Sequence, residues 1–190
     1  MKLPIIEIKT FEKVNYSIES LPPAEYETCQ FLKCDFSNTS FAQSKFIDCT
    51  FIGCNISNVN LTKTALNNIV FKDCKMMGLL FYNCNAFGLS FRFENCQLDH
   101  SSFFQLIIRK TAFNQCRLHD VDFTDCDLNS AQFVECDLLN TKFENTILER
   151  ADFITARHYS IDPSKNSMKK AKFSREGIAG LLGGFGIEIV

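Results

Sequence analysis

The sequence has no tryptophan, four prolines and no apolar run of the roughly 18 residues that a transmembrane helix needs. Its first residues, MKLPIIEIKTFEKVNYS, scatter charges among the apolar positions, so they lack the apolar core and cleavage site of a signal peptide. Without a sign of export or of a membrane anchor, we expect a cytoplasmic protein. Its ten cysteines would then stay reduced.

Motifs for catalysis and for metal binding are also missing. The chain contains no C-x-x-C pair, no H-E-x-x-H, no G-x-S-x-G and no glycine-rich phosphate loop. Its three histidines, His100, His119 and His158, are scattered, and we interpret them as solvated surface groups. We therefore predict that the protein is not an enzyme and binds neither a metal nor a cofactor.

Phenylalanine and cysteine, by contrast, are abundant, with 20 and 10 residues. From Tyr26 to Phe153, every fifth residue is apolar, with one slip of two residues. The residue two positions before each apolar centre is small or of modest size, such as Cys34, Ser44 or Ala131. A period of five fits neither a strand, with period two, nor an α-helix, with period 3.6. Two inward and three outward residues per unit instead require a bend in every unit.

A second period of twenty residues supports this interpretation, because centres twenty residues apart share a size class. A chain that bends every five residues closes a square after four units, so such residues would stack coil upon coil. One face would carry Phe31, Phe51, Phe71, Phe91, Phe113, Phe133 and Phe153. We place the two-residue slip at 92–95, where it forms either a tolerated small bulge or a protrusion that contacts a partner.

The same period places six cysteines on one face, as a ladder. Stacked Cα atoms about 4.8 Å apart would satisfy the Cα criterion for a disulfide, but parallel side chains keep the Cβ atoms too far apart. We therefore interpret the cysteines as small, reduced core residues. The ladder consists of Cys34, Cys54, Cys74, Cys96, Cys116 and Cys136.

Units such as CDFSN, AQFVE and ADFIT resemble the repeats of the pentapeptide-repeat family. The resemblance covers roughly residues 24–156 and implies an all-β fold, a right-handed quadrilateral parallel β-helix with a short C-terminal helix and tail. The predicted organisation is an N-terminal extended cap at 1–23, the β-helix at 24–156, and an irregular last coil with the C-terminal helix and tail at 157–190.

The C-terminal segment carries a further prediction. Ser174 can cap a short helix through REGIAGLL, Gly183 and Gly184 would end it, and FGIEIV could form a strand. So short an apolar segment either caps the rod or meets the same segment of a second copy. Because relatives dimerise through a C-terminal element, we expect a homodimer. The predicted dimerisation residues are Ile178, Leu181, Leu182, Phe185 and Ile187.

Negative charge is concentrated at residues 119–152, which contain nine acidic and two basic residues. Such a block repels nucleic acid, so we expect no direct nucleic-acid binding. It is either a solubilising surface or a partial DNA mimic, in which carboxylates replace phosphates at a lower charge density than that of duplex DNA. The predicted partner-binding acids are Asp120, Asp122, Asp125, Asp127, Glu135 and Asp137.

A Phe-centred rod with a C-terminal dimerisation element is similar to the Qnr and MfpA proteins within this family. That resemblance implies a protein that binds DNA gyrase and topoisomerase IV as a DNA mimic and protects them from quinolones. The chain departs from the Qnr pattern because it offers only a two-residue slip where Qnr proteins project sizeable loops. The alternative is a protein-protein interaction scaffold that does not act on topoisomerases.

Overall fold

The computed structural model describes residues 3–188, which form a parallel β-solenoid. Each strand pairs with the strand one coil later, in parallel and in register. One sheet contains β1 (Ile5–Glu7), β3 (Glu25–Glu27), β5 (Lys45–Ile47) and β7 (Ala65–Asn67). The other sheet contains β2 (Thr10–Glu12), β4 (Gln30–Leu32), β6 (Thr50–Ile52), β8 (Ile69–Lys72), β9 (Phe91–Glu94), β10 (Ala112–Asn114), β11 (Gln132–Val134), β12 (Asp152–Phe153) and β13 (Lys172–Phe173).

The corners of each coil are made by a residue with positive φ in nearly every unit. In one coil these are Lys33, Asn38, Gln43 and Asp48, with φ between 53° and 64°. A residue in this left-handed region turns the chain by a fixed angle, so four such residues close the square. The quadrilateral β-helix predicted from the period of five is thus confirmed.

We number the four sides of the rod by their central residues in one coil. Side 1 carries Phe31, side 2 Phe36, side 3 Phe41 and side 4 Phe46, and all four are buried. The two sheets form sides 1 and 4. Coils on sides 2 and 3 are joined by isolated parallel bridges, such as the one between Asp35 and Asn55.

The core of side 1 is a column of phenylalanine rings stacked coil upon coil. Neighbouring ring centroids lie 4.7–5.4 Å apart. The eight steps of the column make a rod about 38 Å long at about 4.8 Å per coil. The column consists of Phe11, Phe31, Phe51, Phe71, Phe93, Phe113, Phe133, Phe153 and Phe173.

The predicted position of the slip, 92–95, is wrong. Phe71 pairs with Phe93, not with Phe91, so the two extra residues precede β9 and lie within 84–90. Ala86, the expected centre on side 4, is exposed. Phe91 takes the position two before the centre, which is usually small, and its buried ring contributes the volume that Ala86 does not. Phenylalanine at both 91 and 93 made the two registers equivalent in the sequence.

The N-terminal segment differs from the predicted extended cap. Residues 5–16 already form a coil, because β1 pairs with β3 and β2 pairs with β4. Ile6, Phe11 and Tyr16 continue the period of five toward the N-terminus, and Tyr16 stacks on Phe36 at 4.8 Å. Residues 1 and 2 lie outside the described residues.

At the C-terminus, Phe173 stacks on Phe153 at 5.1 Å, as the twenty-residue period predicts. Two short 3₁₀ helices, Ile178–Leu181 and Gly183–Phe185, replace the single predicted helix. The Ser174 hydroxyl accepts a hydrogen bond from the Gly177 N–H at 3.0 Å. Residues 186–188 form no strand, and the rest of the predicted tail strand, 189 and 190, lies outside the described residues. No helix between residues 3 and 188 is long and apolar enough to cross a membrane.

The six-cysteine ladder lies on side 2, two positions before each centre, and all six thiols are buried. Five of them donate hydrogen bonds across the coils to a carbonyl oxygen. For example, the Cys54 Sγ lies 3.2 Å from the Phe31 oxygen, and the Cys136 Sγ lies 3.2 Å from the Phe113 oxygen. Elsewhere, burial raises the pKa of the Cys126 thiol to about 12. These thiols therefore belong to the core.

Candidate functional site

The six predicted acids lie at three of the four corners of the rod. Asp120 and Asp122 flank the corner between sides 2 and 3, and Asp125 and Asp127 flank the corner between sides 3 and 4. The third pair, Glu135 and Asp137, flanks the corner between sides 1 and 2. The structure therefore distributes these acids around the rod instead of bringing them together on one face.

Asp127 forms an ion pair with Arg109. Its side chain is 8% exposed, and its Oδ2 accepts hydrogen bonds from Nη2 and Nε of Arg109 at 2.7 and 2.8 Å. Its Oδ1 accepts from the Asn129 N–H at 3.1 Å. A carboxylate with this many partners is neutralised locally, so it contributes little to an anionic surface.

Asp137 is the centre of a second charged cluster. Its oxygens lie 3.3 Å from Nε of Arg157, 2.8 Å from Nδ1 of His158 and 3.2 Å from Nε2 of His119. Partial burial raises the pKa of this carboxyl group, but the hydrogen bond from His158 and the charges of its neighbours outweigh burial and hold the pKa below its usual range. From the sequence we interpret both histidines as solvated surface groups, and this interpretation does not predict that they meet at one carboxylate.

Three of the predicted acids have no basic partner. Between residues 3 and 188, no basic nitrogen forms an ion pair with Asp122, Asp125 or Glu135. The Asp122 carboxylate accepts a hydrogen bond from the N–H of Thr124, two residues ahead, at 2.9 Å. Asp125 and Glu135 are contacted by glutamine amides of the preceding coil, at 3.5 and 2.9 Å. Asp120 is intermediate, since His100 Nδ1 lies 3.7 Å from its Oδ2.

The structure also contains a buried ion pair, between Asp99 and Arg117, that was not predicted from the sequence. Asp99 is 5% exposed, and its two carboxylate oxygens share the single Nε–H of Arg117, at 2.7 and 3.0 Å, while Oδ2 also pairs with Nη2 of the same guanidinium. The pair is separated by 18 residues, as are Arg109 and Asp127. Opposite charges 18 residues apart lie on adjacent coils at nearly the same position, so this spacing is the signal that would have identified both pairs.

The structure reveals a cluster of exposed and partly exposed apolar side chains on side 3 and at its corner with side 4, which we call the aromatic patch. Tyr82 and Phe104 follow the core residues Phe81 and Phe103, and their ring centroids lie 6.4 Å apart, edge to face. The doublets FY and FF are the signal in the sequence, because the residue after each core phenylalanine points outward in this fold. The patch consists of Leu80, Tyr82, Phe87, Phe104 and Ile107.

The predicted dimerisation residues fall into two groups. Ile178, Phe185 and Ile187 are 56–64% exposed. Leu181 is partly buried against the core, and Leu182 is also partly buried. The segment therefore covers the last coil with one set of residues and presents the other set outward.

A shallow cavity of about 330 Å³ lies between the last coil and the C-terminal segment. Arg157, His158 and Ser174 line it, together with Tyr159, whose hydroxyl is buried without a hydrogen-bond partner. Burial raises the pKa of Tyr159. Within residues 3–188, no group of three or more His, Cys, Asp or Glu side chains could hold a metal ion.

The coil register, the positive-φ corners and the stacked core columns define a quadrilateral parallel β-helix with a filled core. A family model described as a pentapeptide repeat region matches residues 24–103 and 81–153. The chain belongs to the pentapeptide repeat family, as its repeats predict.

Solved structures of QnrB1, described as a plasmid-mediated fluoroquinolone resistance protein, share the fold. A trypsin-treated form matches with a TM-score of 0.62 and 14% identity, over 100% of both chains. The full-length form matches with a TM-score of 0.62 and 13% identity, over 96% of this chain and 100% of QnrB1. At such identities the likeness shows the fold. The comparison with curated proteins finds no match.

Proposed function

We propose that this protein binds a type II topoisomerase, DNA gyrase or topoisomerase IV, through its outer surface and protects that enzyme from quinolones. One observation carries the proposal: the rod matches the rod of a fluoroquinolone resistance protein over its whole length, and it presents three carboxylates that have no basic partner among the described residues. The likeness in sequence is low, so the partner is a proposal that rests on the shared architecture and on the charge.

The mechanism is binding and not catalysis. Stacked phenylalanine and leucine side chains fill the interior, so the outward residues carry the interaction. Asp122, Asp125 and Glu135 would stand in for phosphates against a surface that normally holds DNA. Duplex DNA carries one charge per about 1.7 Å of its axis, so three free carboxylates make a partial mimic at most. Charges of this kind contribute more to association rate and specificity than to affinity.

A homodimer joined at the C-terminal ends is part of the proposal. Ile178, Phe185 and Ile187 present apolar side chains beside the last coil. Exposed apolar residues grouped at one end of a rod are typical of an interface between subunits. Joining two copies there would extend the rod and bring the acidic segments, residues 119–152 of each copy, closer to the centre of the dimer.

DNA supercoiling by purified gyrase, with and without ciprofloxacin, tests the function. We expect the protein to inhibit supercoiling, or to restore it in the presence of the drug, at micromolar concentrations. The variant D122N/D125N/E135Q should lose most of the effect, because the free carboxylates are gone. A matched control, E12Q/E27Q/D48N, removes three acids from earlier coils and should behave as the wild type. Absence of both effects in the wild type rejects the topoisomerase proposal.

A second function is favoured by a separate observation. The acids are spread over three corners and several are paired, whereas Tyr82 and Phe104 form an aromatic pair on one side. This arrangement suits an interaction scaffold with a partner other than a topoisomerase. Under this function, supercoiling is unaffected, and partner binding tolerates the loss of Glu135, which lies away from the patch.

A further inference from the structure

We propose that side 3 is a docking surface for a protein segment that combines a bulky apolar residue with lysine or arginine. The surface is the aromatic patch together with Asp122 and Asp125. This inference deepens the proposed function and rests on its claim that the rod binds proteins, since it assigns the side that makes contact and the chemistry of the segment it holds.

The surface changes from apolar to acidic over three successive coils. The centres Phe81, Phe103 and Phe123 stack on side 3 with centroids 4.3 and 5.0 Å apart. Parallel bridges place Ser102 above Leu80 and Asp122 above Ser102. At about 4.8 Å per coil, Leu80 and Asp122 are about 10 Å apart along the rod, which is the span of about three residues of an extended peptide.

The apolar part contains an aromatic pair with further exposed apolar side chains in the same two coils. Leu80 and Tyr82 are 41% and 43% exposed, and Phe104 packs edge to face against Tyr82. Phe87 lies in the segment that contains the insertion and is 87% exposed, and Ile107 in the next coil is 68% exposed. Single exposed apolar residues need no explanation, but a packed pair of outward aromatic rings is typical of an interaction site, where aromatic residues dominate the binding energy.

In the acidic part, no basic side chain among the described residues forms an ion pair with Asp122 or Asp125. Lys142 lies directly above Asp122, yet its Nζ pairs with Glu144 at 3.3 Å. Asp125 has only the Gln105 amide, at 3.5 Å. Two solvated carboxylates beside an apolar patch favour a partner segment with a cationic residue next to its apolar anchor. They also disfavour nucleic acid and anionic lipid, whose phosphates they repel.

Selection of random 12-residue peptides displayed on phage, with the wild-type protein as bait, tests the specificity directly. Synthetic copies of the selected peptides are then titrated by fluorescence anisotropy at low and at physiological salt. We expect an aromatic or large aliphatic residue with Lys or Arg within three positions, and weaker binding as salt rises. Selected peptides that are acidic or free of bulky apolar residues would overturn the proposal.

Two double variants locate the contact. Y82S/F104S removes the aromatic anchors and D122N/D125N removes the charges, and each should weaken peptide binding about tenfold or more. The matched controls L139S and I154S change residues that are 45% and 46% exposed on sides 2 and 1, and should bind as the wild type does. If both double variants bind with wild-type affinity, side 3 is not the docking surface. If Y82S/F104S does not fold, peptide binding by the isosteric variant D122N/D125N still tests whether side 3 is the docking surface.

The same variants separate this inference from the topoisomerase proposal. If the wild type binds the selected peptides through side 3 but leaves gyrase supercoiling unchanged, the docking surface stands and the topoisomerase partner is rejected. If the wild type acts on gyrase and both side 3 variants act equally well, the topoisomerase partner stands and the docking surface is rejected.

Discussion

The rings of Phe113 and Phe133 lie one coil apart with centroids separated by 5.1 Å and planes 2° from parallel. Phe153 continues the column at 4.7 Å from Phe133, with a similar orientation. Each ring is therefore held between the ring before it and the ring after it. The stability of the rod depends on this repeated contact, because each coil buries its core only against its neighbours.

Truncation of one ring should be costly. Phe133→Ala removes a fully buried ring from the column, and we expect the free energy of unfolding to fall by about 3–5 kcal/mol. Denaturant unfolding followed by circular dichroism measures the change. Val134→Ala is the matched control, because Val134 is the next residue in the same strand and is 38% exposed, so its effect should stay within about 0.5 kcal/mol. Equal effects of the two substitutions would contradict the column.

The position of the two-residue insertion is tested by a pair of phenylalanines. Phe91 is 7% exposed and fills the core beside the insertion, whereas Phe87 is 87% exposed within it. We expect Phe91→Ala to lower the free energy of unfolding by about 3 kcal/mol or more and Phe87→Ala to change it by less than about 0.5 kcal/mol. Thermal melts of both variants measure this. A larger loss of stability for Phe87→Ala than for Phe91→Ala would contradict this position and support a slip at 92–95.

The buried pair of Asp99 and Arg117 predicts an unequal response to two arginine substitutions. Arg117→Ala leaves a buried carboxylate without its main donor, and we expect a loss of about 1–3 kcal/mol in the free energy of unfolding. Arg92, whose side chain is 57% exposed and lies 3.8 Å from Glu94, is the control, and its replacement by Ala should have little effect. Equal stabilities in denaturant titrations would show that the Asp99 pair contributes nothing.

Asp137 predicts a loss of stability in acid. Its pKa in the folded protein is lower than usual, so the stability that it contributes is present above its unfolded pKa of about 3.9 and is lost as the pH falls through the folded pKa. We expect the wild type to exceed Asp137→Asn in free energy of unfolding at pH 6. The gap should narrow from pH 4 downward. Denaturant titrations between pH 6 and 2.5 measure it, and a gap independent of pH would contradict the assignment.

The C-terminal dimer predicts a change in molar mass. Two charges in F185D/I187D should convert the dimer to a monomer, as measured by light scattering after size exclusion. Ile18→Asp is the control, because Ile18 is 85% exposed near the other end of the rod and should not affect a C-terminal interface. A wild-type protein that is monomeric at every concentration would refute the dimer and leave the segment as a cap.

Several features could be predicted from the sequence because they repeat. The period of five indicated the corners, and the period of twenty indicated which residues stack, including Phe173 on Phe153. The same repetition concealed the register of the insertion, since Phe91 and Phe93 satisfy the pattern equally well. The first coil was not predicted, although Ile6, Phe11, Tyr16 and Leu21 keep the period of five up to Tyr26. Pro22 and Pro23 lie between two centres and therefore do not break the coil, and Leu21 is 4% exposed.

The candidate site was harder to predict than the fold. Outward residues do not follow the apolar period, so the acids of a segment can be counted from the sequence, but their ion pairs are found only when residues about one coil apart are compared. The sequence predicts Asp127 and Asp137 as partner-binding acids together with Asp122, although basic residues 18 to 21 positions away pair with both of them. The aromatic patch arises only when residues of successive coils are brought side by side.

By itself, the sequence determined the inward half of this protein, which comprises the square coil, the phenylalanine column and the buried cysteine ladder. These follow from the burial of apolar side chains, which acts on every unit in the same way and therefore leaves a periodic record. The tertiary structure decided the outward half, which comprises the paired acids, the free carboxylates Asp122 and Asp125, and the aromatic side beside them. Charge and surface contact depend on neighbours about twenty residues away, and those neighbours become adjacent only when the coils stack.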